Sequence, residues 1–326
     1  MIRRAFLSLL LLLPSLASAL PYSSMFVFGD SVSDPGNIPA ISGVNFPPAP
    51  YVNNQFSNGP VAVQYLSPKL GLPLDNSKNF AQGGATTGFD NIFNGSLGGP
   101  VPGNMLTGVL GQVGGYLTAS GGNTDPGALY VVWAGPNDFA PGLTDPNFNP
   151  FAATGQAINN LGTAIGALAS AGARHFLVPG MPDLGLTPLA QSLGQQVAGS
   201  LISNGFNQAL TGLVGNLNLN LGVDIRSFDT AGFIRDIVQN PANFGFTNVT
   251  DSCINPSDLT CILNPVVAYG YLFWDDLHPT THAHALIAAQ FASAIPEPAT
   301  MVLFLAGIPT SIWMRRRHAC MQGIRA

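Results

Sequence analysis

Met25-Phe26-Val27-Phe28-Gly29-Asp30-Ser31 passes within seven residues from an apolar run into a turn that carries a hydroxyl. Four apolar residues closed by a glycine read as a buried strand meeting a turn. The step recurs along the chain. Ala128–Trp133 is followed by Gly135, and His175–Val178 by Pro179-Gly180. Asn79–Ala81 is a weaker strand ahead of Gly83-Gly84, and Asp224–Phe228 is a further one. Helical spacing fills the intervals: Val61–Leu70, Met105–Leu117, Phe151–Ala169, Leu189–Leu217 with a break expected at Gly205, and finally Thr280–Ser293. Strands that alternate with helices predict an α/β fold, a parallel sheet covered by helices on both faces. No internal repeat and no second domain are visible. In such sheets a site forms beyond the carboxyl ends of the strands. Ser31, Gly84 and Asn137 each follow a candidate strand.

A serine alcohol is a weak nucleophile at neutral pH. It needs an imidazole to take its proton and a carboxylate to orient that imidazole. Asp275-Asp276-Leu277-His278, far away in sequence, offers both. Ser31, His278 and Asp275 are therefore the candidate catalytic residues. Taken singly, each motif has a plainer reading. Gly29-Asp30-Ser31 is a common turn, Gly83-Gly84 a flexible loop, Asn137-Asp138 a helix cap, and Asp275 with His278 a polar loop pair. His278 and His282 also have the i, i+4 spacing of a metal pair. The zinc-protease pattern needs a glutamate between them, and none is there. No metal and no cofactor are expected. His175 reads as structural, and Asn248-Val249-Thr250 as loop.

Together the motifs resemble a known family. Phe28 to Asp34, with Gly36-Asn37, resembles the first block of the GDSL esterases and lipases, the SGNH hydrolases. Asn79-Phe80-Ala81-Gln82-Gly83-Gly84-Ala85-Thr86 looks like their second block, Gly135-Pro136-Asn137-Asp138 like their third and Asp275 to His278 like their last. Phe56-Ser57-Asn58-Gly59-Pro60 resembles the lipase and haemolysin branch. Val32 stands where the family usually has leucine. The resemblance implies a three-layer, flavodoxin-like α/β/α domain and an oxyanion hole built by the Ser31 and Gly84 N–H groups and the Asn137 amide. Gly84 is preferred because a small and a hydroxyl residue follow it; Gly83 stays open. Asp34 and Asn37 are expected to brace the nucleophile turn, and Asp138 and Asp276 to be structural. The implied activity is hydrolysis of carboxylic esters, of lipids or other acyl esters. O-acetyl removal from matrix polysaccharide, acyl transfer, and a non-catalytic surface-binding role are the alternatives.

The two ends carry their own signals. Residues 1–19 have a basic start at Arg3 and Arg4, an apolar stretch and a small-residue Ala17-Ser18-Ala19 site, the form of an export signal. Pro296-Glu297-Pro298 precedes an apolar stretch and then Arg315, Arg316 and Arg317. This resembles the tail of PEP-CTERM proteins, which a membrane sorting protease cuts. Pro309 interrupts the span and His318–Ala326 continue past the arginines, unlike the family tail; a plain membrane anchor is the other reading. Residues 20–295 are then one exported catalytic domain, extracellular or at the cell surface. Within it the basic residues are Lys69, Lys78, Arg174, Arg226 and Arg235, and every acid is an aspartate. So few scattered cations exclude a nucleic-acid partner. Cys253 and Cys261 are expected to form a short-loop disulfide outside the cytoplasm.

Overall fold

Leu129-Tyr130-Val131-Val132-Trp133 is buried at all five positions, as a strand covered on both faces must be. It forms the second strand in a computed structural model that describes residues 22–97 and 105–295. The expected export signal and sorting tail lie outside the described residues. Among the described residues no helix is long and apolar enough to cross a membrane.

The chain begins with β1 (Met25–Gly29), α1 (Ile38–Ser42), α2 (Ala62–Lys69), α3 (Val109–Ala119) and β2 (Leu129–Trp133). It continues with α4 (Pro150–Ser170), β3 (His175–Leu177), α5 (Pro188–Ser192), α6 (Gln196–Leu221) and β4 (Asp224–Arg226). The last part holds α7 (Thr230–Gln239), β5 (Asn248–Ser252), α8 (Thr260–Leu263), α9 (Pro265–Tyr269), β6 (Tyr271–Phe273) and α10 (Thr281–Ala294). Strands β1 to β4 form one parallel sheet in that order. Met25 lies opposite Leu129, and Gly29 opposite Trp133.

Alternation along the strands sorts the core into two halves. Val27, Leu129, Val131, Trp133 and Leu177 pack with Leu66 of α2, Ile234 and Ile237 of α7, and Ile287 and Phe291 of α10. Phe28, Tyr130, Val132 and Phe176 face the other way, onto Val113 of α3, Leu161 and Ile165 of α4, and Phe206 and Leu210 of α6. The result is the three-layer α/β/α arrangement around a parallel sheet.

Four local expectations need correction. Asn79–Ala81 makes a single parallel bridge to Val27 rather than a strand. The Asn79 side chain donates to Ser33 O and accepts from Ala81 N, and the segment follows β1 only through Phe80 N on Val27 O and Gln82 N on Gly29 O. The helix expected from Met105 starts at Val109. Leu189–Leu217 is two helices, parted at Gly194 with φ +64°. Helix α6 then runs unbroken through Gly205. That glycine is exposed while Phe206 and Leu210 are buried, and their packing outweighs a propensity cost of about 1 kcal/mol. Asn248-Val249-Thr250 is not loop: it lies in β5, which pairs in parallel with β6. A disulfide joins Cys253, just past β5, to Cys261 in α8, with Cα atoms 5.4 Å apart.

Phe291 is 0% exposed, with its ring edge-on to Trp133 at 5.1 Å and Phe228 at 5.5 Å. Phe291→Ala should lower stability by about 3–5 kcal/mol in urea unfolding. A loss below about 1 kcal/mol would show that α10 is not an integral wall of the core.

Candidate active site

Gly29 ends β1 under tight restraint. Gln112 of α3 accepts from its N–H and donates to its carbonyl, both at 2.9 Å. Next, Asp30 O accepts from Ser33 N at 3.1 Å, and Asp30 Oδ1 from Val32 N at 3.1 Å. Ser31 sits at the crest of this turn. Asp34 braces it: Oδ1 accepts from Gly36 N and Asn37 N, and Oδ2 from Gly83 N, 49 residues on. Asn37 Nδ2 ties the same turn to the carbonyls of Asn79 and Ala81.

The other half of the site is a loop between β6 and α10. Trp274 N donates to His278 O at 2.7 Å, and Phe273 bridges to Pro279. Inside this closed loop Asp275 Oδ1 accepts from the N–H groups of Leu277 and His278. Asp275 Oδ2 lies 2.7 Å from His278 Nδ1, and His278 Nε2 lies 2.8 Å from Ser31 Oγ. An ionised carboxylate only accepts hydrogen bonds. The proton therefore sits on Nδ1, and the Nε2 lone pair faces the serine hydroxyl. A serine in this geometry can pass its proton to Nε2 as it attacks a carbonyl carbon.

Burial pushes the Asp275 carboxyl up, but the His278 charge and the hydrogen bonds from His278 and Leu277 outweigh it and hold the group at about 2. Burial also opposes charge on His278; Asp275 and Asp30 nevertheless raise its pKa above the usual 6.5.

The loop is clamped from a segment far upstream. The Phe56 ring lies 5.0 Å from the His278 ring, Ser57 Oγ donates to Pro279 O at 2.9 Å, and Asn58 Oδ1 accepts from Thr281 N at 2.8 Å. This gives the Phe56–Pro60 motif a physical role. Tyr51 OH donates to Asp275 Oδ2 at 2.7 Å. Sequence reasoning missed Tyr51, which belongs to no motif and follows a proline-rich stretch.

Of the two glycines, Gly83 has its N–H engaged by Asp34 at 2.8 Å. Among the described residues the N–H groups of Gly84 and Ser31 make no hydrogen bond. Gly84 has φ +75°, and a Cβ there would lie 2.5 Å from Phe93 Cδ2 and 2.7 Å from Asn91 Oδ1. Asn137 follows β2, and its Nδ2 donates to Ala85 O at 2.9 Å. Asp138 accepts from the N–H and the hydroxyl of Thr87. These bonds staple the Gly84–Thr87 turn to the Asn137 turn. Ser31, Asn137 and His278 line one cleft, with Val32, Ile234 and Phe273 as apolar wall; Gly84 is not part of that lining.

The remaining histidines among the described residues have other partners. His282 Nδ1 pairs with Tyr269 O, and its ring stacks on Tyr269 at 3.7 Å. His284 Nδ1 accepts from Ala62 N, and burial lowers its pKa to about 3. His175 packs edge-on against Tyr22. Among the described residues no three His, Cys, Asp or Glu side chains cluster as a metal would require.

Gly84→Ala should cost about 1–3 kcal/mol from left-handed strain alone, with the Phe93 overlap added. Chemical denaturation measures this, and a stability equal to wild type would contradict the geometry.

Residues 25–291 match the family model of the GDSL-like lipases and acylhydrolases. A Pseudomonas putida protein, known as an uncharacterized protein in the trpE-trpG intergenic region, is 33% identical over 315 residues, covering 88% of this chain and 51% of its own. A GDSL esterase/lipase of Arabidopsis thaliana is 28% identical over 332 residues, covering 81% and 84%. Esterase EstA of Pseudomonas aeruginosa is 29% identical over 329 residues, covering 88% and 49%. The chain thus spans about half the length of these two Pseudomonas proteins. With the family model covering most of its length, the chain belongs to the GDSL-like lipase/acylhydrolase family.

Proposed function

We propose that the protein is an exported serine carboxylic-ester hydrolase. One observation carries the reading: Ser31 Oγ, His278 and Asp275 form a continuous hydrogen-bonded chain of 2.8 Å and 2.7 Å. In the proposed reaction Ser31 Oγ attacks the acyl carbon while its proton moves to His278 Nε2. The carbonyl oxygen becomes an oxyanion, stabilised by the N–H groups of Ser31 and Gly84 and by the Asn137 amide. His278 returns the proton to the departing alkoxide. A water then attacks the acyl-enzyme as its proton moves to His278; the Ser31 Oγ–acyl bond breaks, His278 returns the proton to Ser31 Oγ, and the carboxylic acid leaves. Asp275 keeps the imidazole in the required tautomer throughout.

The substrate is an acyl ester of a lipid or of an acetylated carbohydrate. The apolar wall of Val32, Ile234 and Phe273 beside Ser31 supports an acyl group lying along it. Residues 1–19 act as export signal, 20–295 as catalytic domain and 296–326 as a sorting tail, cut by a membrane protease. The Cys253–Cys261 disulfide supports an oxidising compartment.

Turnover of p-nitrophenyl acetate and butyrate tests the reading. Ser31→Ala should lower kcat on the order of a million-fold with unchanged unfolding. Wild-type rates from the folded variant would sink the proposal. The pH profile gives a second check. Protonated His278 cannot take the serine proton, so kcat/KM should fall as pH drops through the His278 pKa. That limb should lie above 6.5, because the pKa is raised. A limb well below 6.5 would contradict a His278 pKa raised by Asp275 and Asp30.

A further inference from the structure

Asp275 Oδ2 receives two donors, the Nδ1–H of His278 and the hydroxyl of Tyr51, each at 2.7 Å. With Leu277 N and His278 N on Oδ1, four donors fix the plane of one carboxylate. Tyr51 is itself held. Its ring lies 6.5 Å from that of Trp274 and 6.3 Å from that of Phe56, both edge-on. Val52 N, the next donor along, bonds Ser57 O at 3.2 Å. Burial and the neighbouring Asp275 push the phenol pKa up, so the hydroxyl keeps its proton.

We propose that Tyr51 is a positioning residue of the Ser31–His278–Asp275 chain, one that locks the carboxylate and moderates its pull on the imidazole. This rests on the hydrolase reading above. A donor on Oδ2 withdraws charge from the same oxygen that faces Nδ1–H. Without it, that oxygen stabilises the imidazolium more strongly and is freer to rotate. The other titratable and charged groups around His278 are Asp276 in its own loop, Asp30 after β1, and His284 on α10. Asp183, paired with Arg235 at 2.7 Å, lines the same cleft. Among the described residues none of these donates to Asp275 Oδ2; Tyr51 does.

Tyr51→Phe in the full chain keeps the ring and removes the donor. Its kcat on p-nitrophenyl acetate should fall about 10-fold, the scale of one hydrogen bond to a charged group, with KM within about twofold. The acid limb of kcat/KM should move to higher pH. In a Ser31→Ala background, NMR titration of the His278 imidazole should move the same way, whether or not esters are turned over. A folded Tyr51→Phe protein with wild-type kcat and an unmoved His278 titration would overturn the proposal. A slower variant with a lowered unfolding midpoint but an unmoved titration would overturn it too, because only packing would have been lost. If Ser31→Ala leaves turnover intact, the hydrolase reading fails, and the titration still decides the role of Tyr51.

Discussion

The bond between Ser31 Oγ and His278 Nε2 joins residues 247 positions apart in sequence, and its 2.8 Å length sets the tolerance for everything around it. A shift of about 1 Å at such a contact can cost about 100-fold in rate. Each partner is accordingly fixed by more than its own loop. Gln112 pins the end of β1, and Asp34 pins the turn that follows. On the other side β6, α10 and the Phe56–Asn58 segment pin the His278 loop. The sheet supplies the frame, because β1 is paired along its whole length with the fully buried β2.

Three aspartates of this one site divide into two kinds: burial raises Asp30 and Asp34, and Asp275 is held low. Burial raises Asp30 to about 7; its Oδ1 has one backbone donor and its Oδ2 has no partner. Burial also raises Asp34, to about 6, although three backbone N–H groups resist it. Only Asp275 is held low, near 2, because an imidazole that can carry charge faces it. That charge reaches Asp30 as well, but Asp275 also takes a direct hydrogen bond from the imidazole. It is also what makes Asp275, and neither of the other two, suited to stabilise an imidazolium.

Much of the sheet and of the site was legible in the sequence because both leave local marks. Buried strands read as short apolar runs closed by glycine, and Ser31, Gly84, Asn137 and His278 stand just past such runs or beside a helix start. What escaped has physical reasons. Strand β5, Asn-Val-Thr-Asp-Ser, is polar and has no buried position, so it carries no burial pattern. Strand β6 is three residues long and hidden ahead of the Asp275 motif. Helix α7 is the exception: it begins at the Asp229 cap and is clearly amphipathic, with Ile234 and Ile237 buried; its signal was present in the sequence and was passed over. Gly83 and Gly84 differ through a carboxylate 49 residues away, which engages the Gly83 N–H and which no local motif reveals. Tyr51 is a contact across 224 residues that no spacing encodes.

In the proposed site Ser31 Oγ meets the acyl carbon, His278 takes the serine proton, and three hydrogen-bond donors surround the carbonyl oxygen. A crystal structure of the protein after reaction with a p-nitrophenyl alkylphosphonate tests this most directly, because the tetrahedral phosphorus mimics the intermediate. The account predicts phosphorus bonded to Ser31 Oγ, with its free oxygen within about 3 Å of Ser31 N, Gly84 N and Asn137 Nδ2. Phosphorus on another residue, or a free oxygen turned to solvent away from Gly84 and Asn137, would contradict it.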